Sequence, residues 1–246
     1  MTIFQALLLG LIQGLTEFFP VSSSTHLFLA KRVMGIAQNE AMIFFDLFCH
    51  LGTLLASVWI LRREIGKVLT HFRSFAHVTL ALCPLVPAYF LFKPLRETLS
   101  SQAPLLLLVT AAFLFLASKR EQVKDVPKWP DLLCIGIAQG LALIPGISRC
   151  ASTISTARIL GWSWEDAVRF SFLLAIPAIL GGTVLETLHL REDVQIPWRI
   201  CMLGFSASFL AGLGAIRLLF QQLSSKTMRL FAGYCAGLGV LSYLFI

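Results

Sequence analysis

The chain has 246 residues, of which 57% are hydrophobic and 13% charged, where a soluble domain carries roughly 25% charged residues. With a mean hydropathy of +0.80, this excludes an ordinary soluble protein and indicates an integral membrane protein in contact with lipid. The formal net charge of +7 would suggest a nucleic-acid partner in a soluble chain. Here the basic residues cluster between apolar segments, as loop charges that set orientation do, so no nucleic-acid partner is expected.

In chain order, the first region is Ile3 to Val33, apolar but interrupted at Pro20. It carries no Lys or Arg before Lys31 and so lacks the charged start of a signal peptide. Six segments then approach the roughly 20 apolar residues needed to cross a bilayer: Ala41 to Leu61, His77 to Phe92, Pro104 to Ser118, Val168 to Leu190, Trp198 to Phe220 and Met228 to Ile246. Between the third and fourth lies a second broken region, Leu132 to Leu160, interrupted at Pro145 and Gly146. Each half of a broken region is too short to cross, so each region reads as a re-entrant helix pair. Irregular backbone at such a break is tolerated in a membrane where it is buried in protein or lines a wet cavity.

The two broken regions match at an offset of 126: Gly10, Gln13, Gly14 and Leu15 align with Gly136, Gln139, Gly140 and Leu141, and Arg32 and Gly35 with Arg158 and Gly161. Ala41, Phe44 and Leu47 continue the register as Ala167, Phe170 and Leu173. One re-entrant pair plus three spanning helices per copy gives an odd number of crossings, so the copies, about 1–125 and 126–246, are expected in inverted topology. The expected fold is an all-α polytopic membrane protein, with a site where the broken helices meet near the midplane. If the first pair enters from outside, twelve Lys and Arg fall in cytoplasmic loops and six on the other side, among them Lys31, Lys93, Arg96 and Arg191. That bias obeys the positive-inside rule and puts both termini outside the cytoplasm.

The polar residues concentrate at the two breaks. The first, G-L-I-Q-G-L-T-E-F-F-P-V-S-S-S-T-H, places Gln13 and Glu17 four apart, on one face of a helix, ahead of a hydroxyl run and His26. A carboxylate in such apolar company needs partners or a cavity, which marks it as functional. At the second break Ser148, Arg149, Ser152 and Thr153 gather. Arg149, a planar five-donor fork next to a helix start, suits phosphate or carboxylate oxygens. Asp46 and His50, four apart in the first spanning segment, are expected to pair with each other in support of the site. The six cysteines contain no C-x-x-C and read as packing residues, giving no zinc site and no disulfide framework.

These motifs resemble the undecaprenyl-diphosphate phosphatases of the bacitracin-resistance family. That family's (E/Q)-x-x-x-E motif is matched by Gln13 to Glu17, its P-V-S-S and nearby His by Pro20 to Ser23 and His26, and its P-G-x-S-R-S-x-x-T motif by Pro145, Gly146, Ser148, Arg149 and Thr153. Two departures stand out: Gln13 occupies the first acidic position, and Cys150 stands where the family usually has Ser. The resemblance implies hydrolysis of a C55 prenyl diphosphate to the monophosphate and inorganic phosphate in the bacterial cytoplasmic membrane. The lipid carrier is thereby recycled for peptidoglycan synthesis at a site facing the periplasm, with bacitracin resistance as a consequence. A transporter or flippase for a phosphorylated lipid is the rival, since inverted repeats with broken helices serve transport too.

On the phosphatase reading, Arg149, Ser148, Thr153 and Gln13 bind the substrate's phosphoryl oxygens. Glu17 and Gln13 hold a divalent cation, Mg²⁺ or Ca²⁺, through oxygen ligands. The attacking group is Ser23 activated by His26, or His26 itself, or water with His26 as base. The sequence leaves oligomeric state open.

Overall fold

The computed structural model describes residues 1–121, 128–189 and 197–245. Lys124, Leu190, Arg191, Ile246 and the expected repeat boundary lie outside them. Among the described residues every regular element is helical: α1 (Ile3–Phe18), α2 (Ser23–Val33), α3 (Glu40–Ile60), α4 (Arg62–Thr70), α5 (Phe72–Leu82), α6 (Leu85–Leu99), α7 (Ala103–Ser118), α8 (Trp129–Leu141), α9 (Arg149–Ile159), α10 (Trp164–His189), α11 (Trp198–Gln221) and α12 (Ser225–Phe245). The protein is an all-α, multi-pass membrane protein.

Among the described residues, four segments are long and apolar enough to cross a membrane: Glu40–Ile60, Phe72–Phe92, Trp164–His189 and Trp198–Gln221. The second is α5 and the start of α6 with a turn at 83–84 between them, where Pro84 cannot donate the next helical hydrogen bond. The expected span at Pro104 to Ser118 is the 16-residue α7, about 24 Å at 1.5 Å per residue and so short of a full hydrocarbon core. It packs along α12, which has the length but carries Lys226 and Arg229 near its start. The basic stretch after Leu61, expected as a loop, is the amphipathic α4.

Both breaks form where the sequence puts them. α1, with 16 residues, and α2, with 11, reach about 24 and 17 Å; α8 and α9, with 13 and 11, are similarly short. The backbone groups freed at the breaks find partners within the protein. The Thr110 hydroxyl of α7 donates to the Gly146 carbonyl at 3.0 Å and accepts the Ser148 N–H at 2.9 Å. The Cys150 thiol donates to the Glu17 carbonyl at 3.2 Å. Gly146 has φ +98° and its α-carbon faces the Ala103 carbonyl so closely that a Cβ would sit 2.2 Å from it, which requires glycine twice over.

Helix starts recur 126 residues apart: Ile3 and Trp129, Ser23 and Arg149, Phe72 and Trp198. The packing recurs as well. A Cβ on Gly10 would lie 2.8 Å from Ala207 of α11, and one on Gly136 would lie 2.3 Å from the Ala81 carbonyl of α5, with Ala81 standing 126 positions before Ala207. These are small-residue seams of the kind that let membrane helices approach closely. α3 packs on α10, and α7 on α12, so each central contact joins one element to the element 126 residues later. The larger apolar core runs from Phe18 through Leu107, Leu132, Ile154 and Phe172 to Leu219 and Cys235; a smaller one gathers Leu9, Leu27, Phe45 and Ile200 under α1 and α2.

Candidate active site

α2 and α9 both begin at the breaks, and their first residues are Ser23 and Arg149. Two helix N-termini with unsatisfied N–H groups and positive dipole ends make a favourable setting for an anion. Glu17, the penultimate residue of α1, lies between them. Its Oε1 accepts from Arg149 Nη2 at 2.6 Å, across 132 residues of chain, and its Oε2 accepts from Ser23 Oγ at 2.7 Å and from Gln13 Nε2 at 3.0 Å. Gln13 Nε2 also lies 2.9 Å from His50 Nδ1 on α3. His50 Nδ1 is 3.8 Å from the same Glu17 oxygen.

This cluster opens onto a cavity of about 250 Å³ lined by Glu17, Ser23, His50, Gln139, Ser148 and Arg149 among others. A second cavity of about 280 Å³ shares Ser24, His50, Ala142, Leu143 and Ile179 with it and runs on past Tyr89 to Thr183 and Glu186. Arg149 Nη1 is buried without a protein partner, as is Gln13 Oε1. Arg149 thus uses one arm of its fork on Glu17 and has the other to give.

The sequence-derived site residues divide into three groups. Glu17, Ser23, Arg149 and Ser148 converge on the cavity, with Gln13 behind Glu17. Ser148 caps α9, its Oγ accepting the Ala151 N–H at 3.2 Å. Thr153 does not reach the cavity: it is buried against α10, its hydroxyl 2.6 Å from that of Ser171 and donating to the Arg149 carbonyl at 2.9 Å. One helical turn beyond the break, it faces the core.

The expected Ser23–His26 pair does not form. Ser23 donates its hydroxyl hydrogen bond to Glu17 instead. The His26 ring lies 2.8 Å from the Ser22 carbonyl through Nδ1 and 2.7 Å from the Tyr234 hydroxyl through Nε2, with the two rings stacked at 5.7 Å. Only Nδ1–H can satisfy the carbonyl, so Nε2 accepts from Tyr234. His26 therefore braces Ser22, the described non-glycine residue with positive φ, +68°, a strained conformation of a kind found at functional sites.

Asp46 and His50 likewise do not pair with each other. Asp46 takes Lys31 as its ion-pair partner, with Lys31 only 4% exposed in its side chain, while His50 turns to Gln13. Lys31, counted above as a loop charge, is a buried one. Sequence reasoning missed Gln139 and the direct contact of His50 with the site. Gln139 was visible as the match of Gln13.

A resident cation finds a poor fit. The described residues contain no group of three or more His, Cys, Asp or Glu able to hold a metal. Gln13 presents its amide nitrogen, not its oxygen, to Glu17, and Glu17 is already neutralised by Arg149.

Fold and site together define an integral membrane protein with a buried acid–arginine–hydroxyl cluster at facing helix starts, suited to a phosphorylated lipid. The chain belongs to the family described as Bacitracin resistance protein BacA, whose profile matches residues 6–241. It is 40% identical over 254 residues to an undecaprenyl-diphosphatase of Protochlamydia amoebophila, covering 100% of this chain and 99% of that one. Identity to the undecaprenyl-diphosphatase of Carboxydothermus hydrogenoformans is 37% over 254 residues, with 98% and 96% covered. For that of Methanobrevibacter smithii it is 31% over 274 residues, with 99% and 98% covered.

Proposed function

We propose that the chain hydrolyses undecaprenyl diphosphate to the monophosphate and inorganic phosphate, recycling the lipid carrier for cell-wall synthesis and so conferring bacitracin resistance. One observation carries the chemistry: Glu17 bridges Ser23 and Arg149 at the wall of the cavity. Phosphoryl transfer needs positioning and charge neutralisation more than covalent machinery. In this reading Arg149 turns its unpartnered Nη1 to an oxygen of the terminal phosphoryl group, and the N-termini of α2 and α9 add positive potential. Glu17 accepts the Ser23 proton as Oγ attacks the terminal phosphorus and the bond to the bridging oxygen breaks. Undecaprenyl monophosphate leaves with that proton, and water then hydrolyses the phosphoserine, releasing inorganic phosphate and restoring Ser23, while Gln13, held by His50, keeps the carboxylate aimed. Ser148 stands beside Arg149 as a further donor. His26 acts on Ser23 indirectly, by fixing the Ser22 carbonyl.

A divalent cation, Mg²⁺ or Ca²⁺, would arrive with the diphosphate and neutralise phosphate charge. Substrate oxygens and water would supply its ligands, since both Glu17 oxygens are engaged by Arg149, Ser23 and Gln13. The site opens to the periplasmic face of the bacterial cytoplasmic membrane, in keeping with the loop charges. Two inverted repeats, near 1–125 and 126–246, complete the reading. What supports them is the recurrence of helix starts and glycine seams at an offset of 126, with α7 and α12 as the remaining pair of crossings.

The test is phosphate release from undecaprenyl diphosphate by purified protein in detergent, where transport has no meaning. Wild-type protein is expected to turn over, and Ser23→Ala to lose at least about 10³-fold in kcat. A Ser23→Ala protein with near-normal turnover would remove the serine from the reaction; a wild type releasing no phosphate would favour a transporter.

A further inference from the structure

Gln139 sits in the last turn of α8, 1% exposed, and both its side-chain atoms, Nε2 and Oε1, are buried without a protein hydrogen-bond partner. It lines the same cavity as Glu17, Ser23 and Arg149. A buried amide with neither half satisfied is costly, and natural folds keep such groups where something else pairs with them.

The comparison with Gln13 shows how the amide comes to be unpaired. Gln13 is equally buried but spends its Nε2 on Glu17, four residues on, and on His50 of α3. At the corresponding places 126 residues later stand Leu143 and Ile176, neither of which can accept a hydrogen bond. The one amide is bound into the acid cluster and the other is left facing the cavity. Arg149, on the wall of the same cavity, has its Nη1 unpartnered too, so two unused donors share one chamber.

We propose that Gln139 is a direct ligand of the substrate's diphosphate group, donating its amide N–H to a phosphoryl oxygen alongside Arg149 Nη1. The inference rests on the phosphatase reading of the site. An amide suits this position better than a second cation. It offers donors without adding charge to a chamber where Glu17 already balances Arg149, and its oxygen can take the proton of a monoprotonated phosphate.

The test uses Gln139→Met, which keeps the volume and removes the hydrogen bonds, and Gln139→Glu, which keeps the shape and sets a carboxylate against the anion. The probe is the methylene-diphosphonate analogue of farnesyl diphosphate, with kcat and KM measured on the natural substrate. Gln139→Met is expected to weaken analogue binding about tenfold, as loss of a charge-assisted bond does, with Gln139→Glu weaker still. The ligand-free melting temperature of Gln139→Met is expected to equal or exceed that of the wild type, because no protein partner is lost.

Analogue affinity within twofold of wild type in Gln139→Met would overturn the inference. So would a lowered melting temperature with unchanged affinity in the folded fraction, which would mark Gln139 as structural. If wild-type protein itself neither binds the analogue nor releases phosphate, it is the phosphatase reading that falls, and this inference with it.

Discussion

Ser23, Glu17 and Arg149 each owe their place to a local rule that is easy to state. Pro20 ends α1, the next helix begins three residues later, and its first residue is the serine; the second break repeats the manoeuvre and delivers the arginine. The ion pair between Glu17 and Arg149 is 8% and 15% exposed, in the range where removing one partner costs about 3–5 kcal/mol because the other charge is left stranded. Arg149→Ala is therefore a poor probe of chemistry alone. Arg149→Lys keeps the charge but cannot address Glu17 and a phosphoryl oxygen through two arms of one fork. It is expected to fold and to lose about 10²-fold in kcat/KM. Glu17→Gln keeps one acceptor oxygen for Arg149 but sets its amide against the Gln13 N–H, leaves Arg149 without a counter-charge and can no longer take a proton, and a loss of about 10²–10⁴-fold is expected. Steady-state phosphate release with a parallel melting curve checks both; a Glu17→Gln protein at wild-type rate would exclude proton transfer to that carboxylate.

Much of the helix pattern was legible from hydropathy and proline alone, and both breaks fell where proline and glycine put them. The convergence of Glu17 with Arg149 was legible through the matched islands. What escaped was partner choice. Helical spacing permits Ser23–His26 and Asp46–His50 pairs, yet the two histidines turned to partners distant in sequence: Tyr234, 208 residues from His26, and Gln13, 37 residues from His50. Spacing restricts which groups share a face; it says nothing of what the facing helix offers. Thr153 was misplaced for a related reason, since a motif position does not say whether the side chain looks into the cavity or away from it.

At the level of helices, α1 is seated on α11 by glycine. A Cβ at Gly14 would lie 2.5 Å from the Ser208 carbonyl and 2.6 Å from the Ala211 methyl, and backbone cannot yield as a flexible side chain can. Gly14→Ala is expected to destabilise by about 1–3 kcal/mol and to lower activity, because Glu17 rides on the same helix. Gly66→Ala on α4, where nothing lies within 4 Å, is the control and should be neutral or slightly stabilising, alanine being the better helix former. Thermal unfolding in detergent of the two variants separates the seam from any general intolerance of substitution.

For the molecule as a whole, the loop charges make a statement about orientation that the buried cations refine. Lys31 is engaged with Asp46 inside the bundle, and Arg158 is 5% exposed, its guanidinium donating to the Trp162 and Arg120 carbonyls at 2.7 Å. Neither reports on the surrounding compartment. The exposed basic residues of α4 do, and single cysteines placed at Arg63 and at Asn39, in a cysteine-depleted background, should label from opposite sides of the membrane in intact cells. Labelling of both from the same side would reverse the reading of the charge bias.

The segment Phe72–Phe92 has 6% of its apolar window buried, against 44% for Glu40–Ile60, and Val86, Phe90 and Leu91 are 63%, 71% and 70% exposed. Yet Leu85 and Tyr89, on the same stretch, wall the two cavities. In water a helix so thinly held would be a liability. In a bilayer, acyl chains are as apolar as leucine, so protein contact given up there is returned as lipid contact, and outward displacement of α6 changes the free energy little. The stretch that walls the headgroup chamber is thus also the one held mainly by lipid, so the bilayer as well as the protein sets how firmly that wall stands.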